Sequence, residues 1–230
     1  AGNTQATVSW NAPLSAGGSA IAGYEVTASP GGQTVTVNGS TPTATFTGLV
    51  NGTSYTFIVT TINTVGTGAS SSASNAVTPA TIPGAPTNVT ATASSTQATV
   101  TWSAPSSTGG SSITGYTVTA NPGGTTVSWS SGSLTATVTG LSNGTSYSFT
   151  VTATNAEGNS AASSASSAVT PATVPGAPTN VTVTAIAGDT QATVSWSAPS
   201  STGGSTITGY TITASPGGQT ASWSSGNLIA

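Results

Sequence analysis

No lysine, arginine, histidine, cysteine or methionine occurs among the 230 residues, and Glu25, Glu157 and Asp189 are the only acids. An ordinary soluble chain of this length carries about 58 charged side chains at roughly 25% of residues. Each absence excludes a class of function. Without cations the chain cannot neutralise phosphates, so binding to nucleic acid or to anionic lipid lacks its main source of affinity. Without cysteine there is no disulfide, thiol nucleophile or thiolate metal ligand, and the redox compartment stays open. General acid and base chemistry needs two groups, or one group and a metal, converging on a few ångströms. One acid per repeat, with no histidine or lysine to join it, does not supply this, so the reading is not an enzyme, with no cofactor and no metal site. Tight calcium binding, which uses several carboxylates, is disfavoured on the same ground.

No apolar run approaches the ~18 to 20 residues of a membrane span, so membrane insertion is not expected. The start, Ala1-Gly2-Asn3-Thr4, is not a basic segment followed by an apolar one. The chain reads as an internal piece of something longer. Hydrophobic residues make up 35% and the net charge is only -3, which is not the composition of a disordered chain.

What is present is repetition. Trp10, Trp102 and Trp196 recur 92 and 94 residues apart, as do Tyr24, Tyr116 and Tyr210. Pro83-Gly84-Ala85-Pro86-Thr87-Asn88-Val89 returns as Pro175-Gly176-Ala177-Pro178-Thr179-Asn180-Val181. Within a repeat the period is two. Ala98, Val100 and Trp102 alternate with hydroxyl residues, as do Tyr116, Val118 and Ala120, and Tyr147, Phe149, Val151 and Ala153, which reads as half-buried strands. Gly and Pro clusters separate the runs, as at Pro122-Gly123-Gly124 and Asn143-Gly144. In residues 87–170 seven strands are expected, centred on Val89, Val100, Val118, Val127, Ala136, Val151 and Ala168. The fold class is all-β: tandem seven-stranded antiparallel sandwiches.

The Trp of the second strand, the Tyr of the third, and Leu141-Ser142-Asn143-Gly144-Thr145-Ser146-Tyr147 leading into the sixth make each unit resemble a fibronectin type III domain. The resemblance covers essentially the whole chain. It implies that Tyr55 and Tyr147 form the tyrosine corner and that Trp10, Trp102 and Trp196 are core residues, beside Tyr24, Tyr116 and Tyr210. The Thr, Ser, Gly and Ala-rich style is similar to the modules of bacterial extracellular and cell-surface proteins. Three units follow: residues 1–79, lacking the first strand; 80–171, complete; and 172–230, truncated before its last strands. Integrin-binding members of the family display Arg-Gly-Asp in the loop after the sixth strand, where this chain has Asn155-Ala156-Glu157-Gly158-Asn159, so that activity is not carried over.

Other features have two readings each. Trp129 and Trp223 occupy matching places where the first repeat has Val37. An exposed ring there would stack on a sugar or anchor a neighbouring chain; the alternative, favoured by Val37, is packing over its own sheet. Ser107-Thr108-Gly109-Gly110 looks superficially like a phosphate loop, but it joins strands and lacks the Lys and following helix. Asn-Gly-Thr at Asn51 and Asn143, with Asn38, Asn88 and Asn180, matches the N-glycan sequon. The Ser clusters at 70–74 and 163–167 suit either O-linked sugars or a plain final strand.

Proline-punctuated links, Thr78-Pro79-Ala80-Thr81-Ile82-Pro83 and Thr170-Pro171-Ala172-Thr173-Val174-Pro175, predict semi-rigid joints and an extended rod. The role expected is a structural segment of an extracellular or cell-surface fibre, filament or adhesive stalk. Its partners would be copies of itself or other domains of a longer chain. The alternatives are spacer modules in a secreted carbohydrate-active enzyme, or an adhesin that grips glycans.

Overall fold

The computed structural model describes residues 1–130, 132–185 and 190–224. Thr and Val dominate the runs between turns, and β-branched residues favour the pleated sheet. Accordingly every described element is a strand. The first repeat has β1 (Gln5–Ser9), β2 (Ile21–Ser29), β3 (Thr34–Asn38), β4 (Thr43–Thr47), β5 (Thr56–Asn63) and β6 (Thr67–Ser70). The second has β7 (Thr87–Ser94), β8 (Gln97–Ser103), β9 (Gly115–Asn121), β10 (Thr126–Trp129), β11 (Thr135–Thr139), β12 (Ser148–Asn155) and β13 (Gly158–Asn159). The third has β14 (Thr179–Ala185), β15 (Ala192–Ser197), β16 (Tyr210–Thr213) and β17 (Thr220–Trp223).

All pairings are antiparallel. In the second repeat a three-stranded sheet, β11-β8-β7, faces a four-stranded one, β10-β9-β12-β13. Alternate residues of both turn inward: Val100, Val118, Val138, Phe149 and Val151 are fully buried between them. Each such side chain stabilises the sandwich by about 1.5–3 kcal/mol. The first repeat repeats the four-stranded sheet as β3-β2-β5-β6, but β1 pairs only with β4. Phe46 and Phe57 pack there with ring centroids 4.8 Å apart. In the third repeat the described sheets are β14-β15 and β16-β17, and Val181 and Val183 of β14 are exposed.

The last segment of the second repeat differs from the strand expected around Ala168. Only Gly158–Asn159 pairs conventionally with β12, and an isolated bridge joins Val169 to Tyr147, the residue just before β12. Between them, residues 160–167 meet β12 once every third residue. Ser160, Ser163 and Ser166 donate their N–H groups to the carbonyls of Ala153, Val151 and Phe149 at 2.8, 2.9 and 2.9 Å. The return bond from β12 goes to the serine side chain. Ala153, Val151 and Phe149 N–H groups donate to Oγ of Ser160, Ser163 and Ser166 at 2.9, 3.0 and 3.1 Å. Each Oγ then donates to the carbonyl of the following residue, Ala161, Ser164 or Ser167. Three residues thus face two, a bulge at every rung, with the hydroxyl standing where a carbonyl would be. The first repeat has two such rungs, at Ser71 and Ser74. The segment is therefore not a plain strand; Ser163 and Ser166 are buried and offer no free attachment point for sugar, whereas Ser164 and Ser167 are exposed.

The core tryptophans anchor an aromatic cluster in each repeat. Trp102 and Tyr116 lie 5.5 Å apart, Trp10 and Tyr24 5.2 Å, and Trp196 and Tyr210 5.3 Å. Burial pushes the Tyr116 phenol above its ordinary pKa. The ionised phenol is therefore better tolerated in the unfolded chain, and its contribution is complete below that chain's pKa of ~10 and lost as pH rises through the folded value. A decline in unfolding free energy above pH ~10, reduced in Tyr116→Phe and absent at neutral pH, is the expected outcome in urea titrations. Ser163→Ala strands the buried Val151 N–H, and the same titrations should show a loss of about 1–3 kcal/mol. Ser164→Ala, at an exposed hydroxyl, is expected to stay within about 0.5 kcal/mol of the parent.

Candidate functional site at the inter-repeat joints

The corner before β12 is built from Asn143-Gly144. Tyr147 hydroxyl accepts the Ser142 N–H at 3.1 Å, and Tyr55 does the same for Val50 at 3.1 Å. Asn143 Oδ1 accepts the N–H of Thr96, and Asn51 Oδ1 that of Thr4, both at 2.8 Å. Thr96 and Thr4 have φ of 56° and 53°, an unfavourable region for a β-branched residue, so the Asn side chain holds the tight turn that leads into β8 and, in the first repeat, into β1. Two of the sequon asparagines are thereby engaged within their own repeat.

The adjoining glycines face the next repeat. Gly52 lies against Gly110, its own absent Cβ being 3.1 Å from Gly110 Cα. A Cβ on Gly110 would overlap the Gly52 nitrogen and stand 2.7 Å from Asn51 C and 2.9 Å from its Cβ. The linker completes the contact. Gly52 N–H donates to Pro79 O at 2.9 Å, Thr81 N–H to Gly109 O at 2.8 Å and Gly84 N–H to Ser107 O at 2.9 Å. Asn155 Nδ2 donates to both Thr81 O and Thr108 O, at 2.8 and 2.9 Å. Ile82 Cγ2 rests against Gly158.

The second joint repeats the glycine contact and the three main-chain bonds. Gly144 packs on Gly204, with N–H bonds from Gly144 to Pro171 O, Thr173 to Gly203 O and Gly176 to Ser201 O at 2.9, 2.8 and 2.9 Å. Main-chain groups dominate both joints, and glycine is required where two backbones meet with positive φ.

The other residues singled out from sequence lie elsewhere. Trp10, Trp102, Trp196, Tyr24, Tyr116 and Tyr210 line the sandwich interiors, and the three core indole N–H groups are buried with no hydrogen-bond partner among the described residues. Trp129 is half-buried, edge-on to Trp102 at 6.1 Å and to Tyr116 at 5.2 Å, and donates Nε1–H to Ser133 O at 2.8 Å. Trp223 lies 5.8 Å from Trp196 and 5.6 Å from Tyr210. Both rings pack on their own repeat. Glu157 is exposed and Glu25 half-buried, in different repeats; Asp189 lies outside the described residues. Among the described residues no three acids, histidines or cysteines come together, and no helix is long and apolar enough to cross a membrane.

The family model for the fibronectin type III domain matches residues 1–77, 84–170 and 176–228. The chain belongs to the fibronectin type III family. Among solved structures, the crystal structure of chicken CNTN1 FN1-FN3 domains is similar at 20% identity, over 99% of this chain and 83% of that one, with a TM-score of 0.43. Titin kinase and its flanking domains is similar at 32% identity, over 40% of this chain and 18% of that one, with a TM-score of 0.35. No curated protein matches.

In sequence the Gly-Gly loop of these fibronectin type III repeats was visible as a rejected phosphate loop, and the Asn-Gly corner as a turn, a sequon and part of the run into the sixth strand. Their recurrence in step, at Gly52 with Gly110 and Gly144 with Gly204, is the signal that pairs them. Gly110→Ala is expected to open the first joint while both sandwiches stay folded, seen as larger fluctuations in small-angle scattering. Gly124→Ala is the reference, since Gly124 has positive φ but nothing within 4 Å. Both should lose about 1–2 kcal/mol from backbone strain, and only the first should change the scattering.

Proposed function

We propose that this chain is a non-catalytic structural segment of an extracellular or cell-surface fibre, filament or adhesive stalk, of the bacterial type, acting as a semi-rigid rod. The observation that carries the reading is the recurrence at both joints of the same glycine-on-glycine packing and the same three main-chain bonds. A flexible tether has no need of two backbones held at van der Waals distance, or of a linker bonded along its length to the next repeat. Tandem fibronectin type III domains suit a spacer or structural role.

The near-absence of charge supports lateral packing between copies, because a net charge close to zero leaves little repulsion to oppose association. The serine-bridged segments argue that such packing runs through hydroxylated faces. Bulges at each rung blunt that edge against further strand pairing. The aromatic rings that would grip a glycan, Trp129 and Trp223, are engaged within their own repeats, which weighs against an adhesin built on them.

Electron microscopy of the native material should show filaments or lateral bundles, and sedimentation of the purified chain should show association rising with concentration. Dispersed particles together with a monomer indifferent to concentration would remove the fibre reading.

A further inference from the structure

Asn-Gly occurs at Asn38, Asn51 and Asn143. In each a side-chain amide precedes a peptide nitrogen that no side chain shields, so the dipeptide alone does not rank them. Their surroundings do.

At Asn51 and Asn143 both reacting groups are tied to distant parts of the chain. Oδ1 is held by the N–H of Thr4 or Thr96, and Nδ2 donates to Asn3 Oδ1 at 2.8 Å or to Ser95 Oγ at 3.5 Å. The following glycine N–H is bonded to the linker, at Pro79 O or Pro171 O. The amide meets that nitrogen only if both the turn and the joint open.

Asn38 ends β3 and is exposed. Its Oδ1 accepts the Ser40 N–H at 3.1 Å, the Ser40 hydroxyl at 2.7 Å and the Thr41 hydroxyl at 2.7 Å. The bond to Ser40 N–H folds the amide back over the Gly39 peptide. A main-chain bond from Thr41 N–H to Asn38 O at 3.1 Å already closes the turn, so the fold does not depend on the amide. Ser130 and Ser224 stand in its place in the other repeats. Asn38 Nδ2 has no hydrogen-bond partner among the described residues. Gly39 N–H donates to Ala22 O at 2.9 Å, just beyond the last pair of the β2–β3 ladder, where fraying frees it at least cost.

We propose that Asn38 is a self-modification site, at which the chain converts its own amide to a carboxylate through a cyclic imide. Hydroxide takes the Gly39 N–H proton, and the freed pair on nitrogen forms a bond to Asn38 Cγ. The π pair of the amide carbonyl moves onto Oδ1, where the three donors stabilise the developing negative charge. When that pair returns, the Cγ–Nδ2 bond breaks and Nδ2 leaves as ammonia, taking a proton from water and restoring hydroxide. Water then opens the five-membered ring. Addition at Cγ leaves an aspartyl residue, and addition at the main-chain carbonyl of residue 38 leaves an isoaspartyl one. Either product adds a negative charge to a chain whose only acids are Glu25, Glu157 and Asp189.

The test is peptide mapping by mass spectrometry after the full chain has been held in mildly alkaline buffer, reading loss of ammonia and then gain of water. Conversion at Asn38 should run about tenfold or more faster than at Asn51 or Asn143, whose groups are released only by local opening. In denaturing urea the three rates should converge. Ser40→Ala combined with Thr41→Val removes both hydroxyl donors and should slow Asn38 by roughly threefold or more, with the other two sites unchanged. Equal rates in the folded chain, the same ranking in urea, or an unchanged or faster rate at Asn38 in the double variant would each overturn the proposal.

Discussion

In a chain with three carboxylates and no cation, every fixed contact must be a neutral hydrogen bond or close packing. Nothing here can be pinned by an ion pair between side chains, and nothing can be neutralised by a counter-charge. The sandwich interior meets this by excluding polar side chains almost completely. Its boundaries meet it with hydroxyl and amide groups that act as local substitutes for main chain. Serine Oγ takes the position of a carbonyl along β12, and asparagine Oδ1 takes the position of one at the corner.

That substitution explains how the edges and corners serve the joints. Asn51 and Asn143 fix the turn inside their own repeat, which leaves the neighbouring glycine presented in one orientation. The loop bearing Gly109 and Gly110 is held by Ser107 Oγ. Two preformed surfaces then meet through backbone atoms, so little side-chain entropy is lost when they join. The Pro residues of the linker reduce the number of conformations that compete with the docked one.

The fold was legible because its signals are long and repeated: period-two alternation over Tyr147 to Ala153, and a Trp at each repeat's second strand. Burial of alternate side chains is a property of the sequence pattern itself. The final segment was not legible, because a serine every third residue belongs to neither the period of a strand nor that of a helix. Nor were the cis peptide bonds at Pro30, Pro122 and Pro216. The joints were hidden for a different reason. They are made by glycines and main-chain groups, which carry no side-chain chemistry for a motif to show. Trp129 drew attention as a large aromatic, yet Val37 in the same place already indicated packing.

A contact assembled from peptide dipoles at van der Waals distance contains no mobile charge for dissolved ions to screen. The repeat-to-repeat spacing therefore belongs to the polypeptide itself. Ionic strength is expected to change it little.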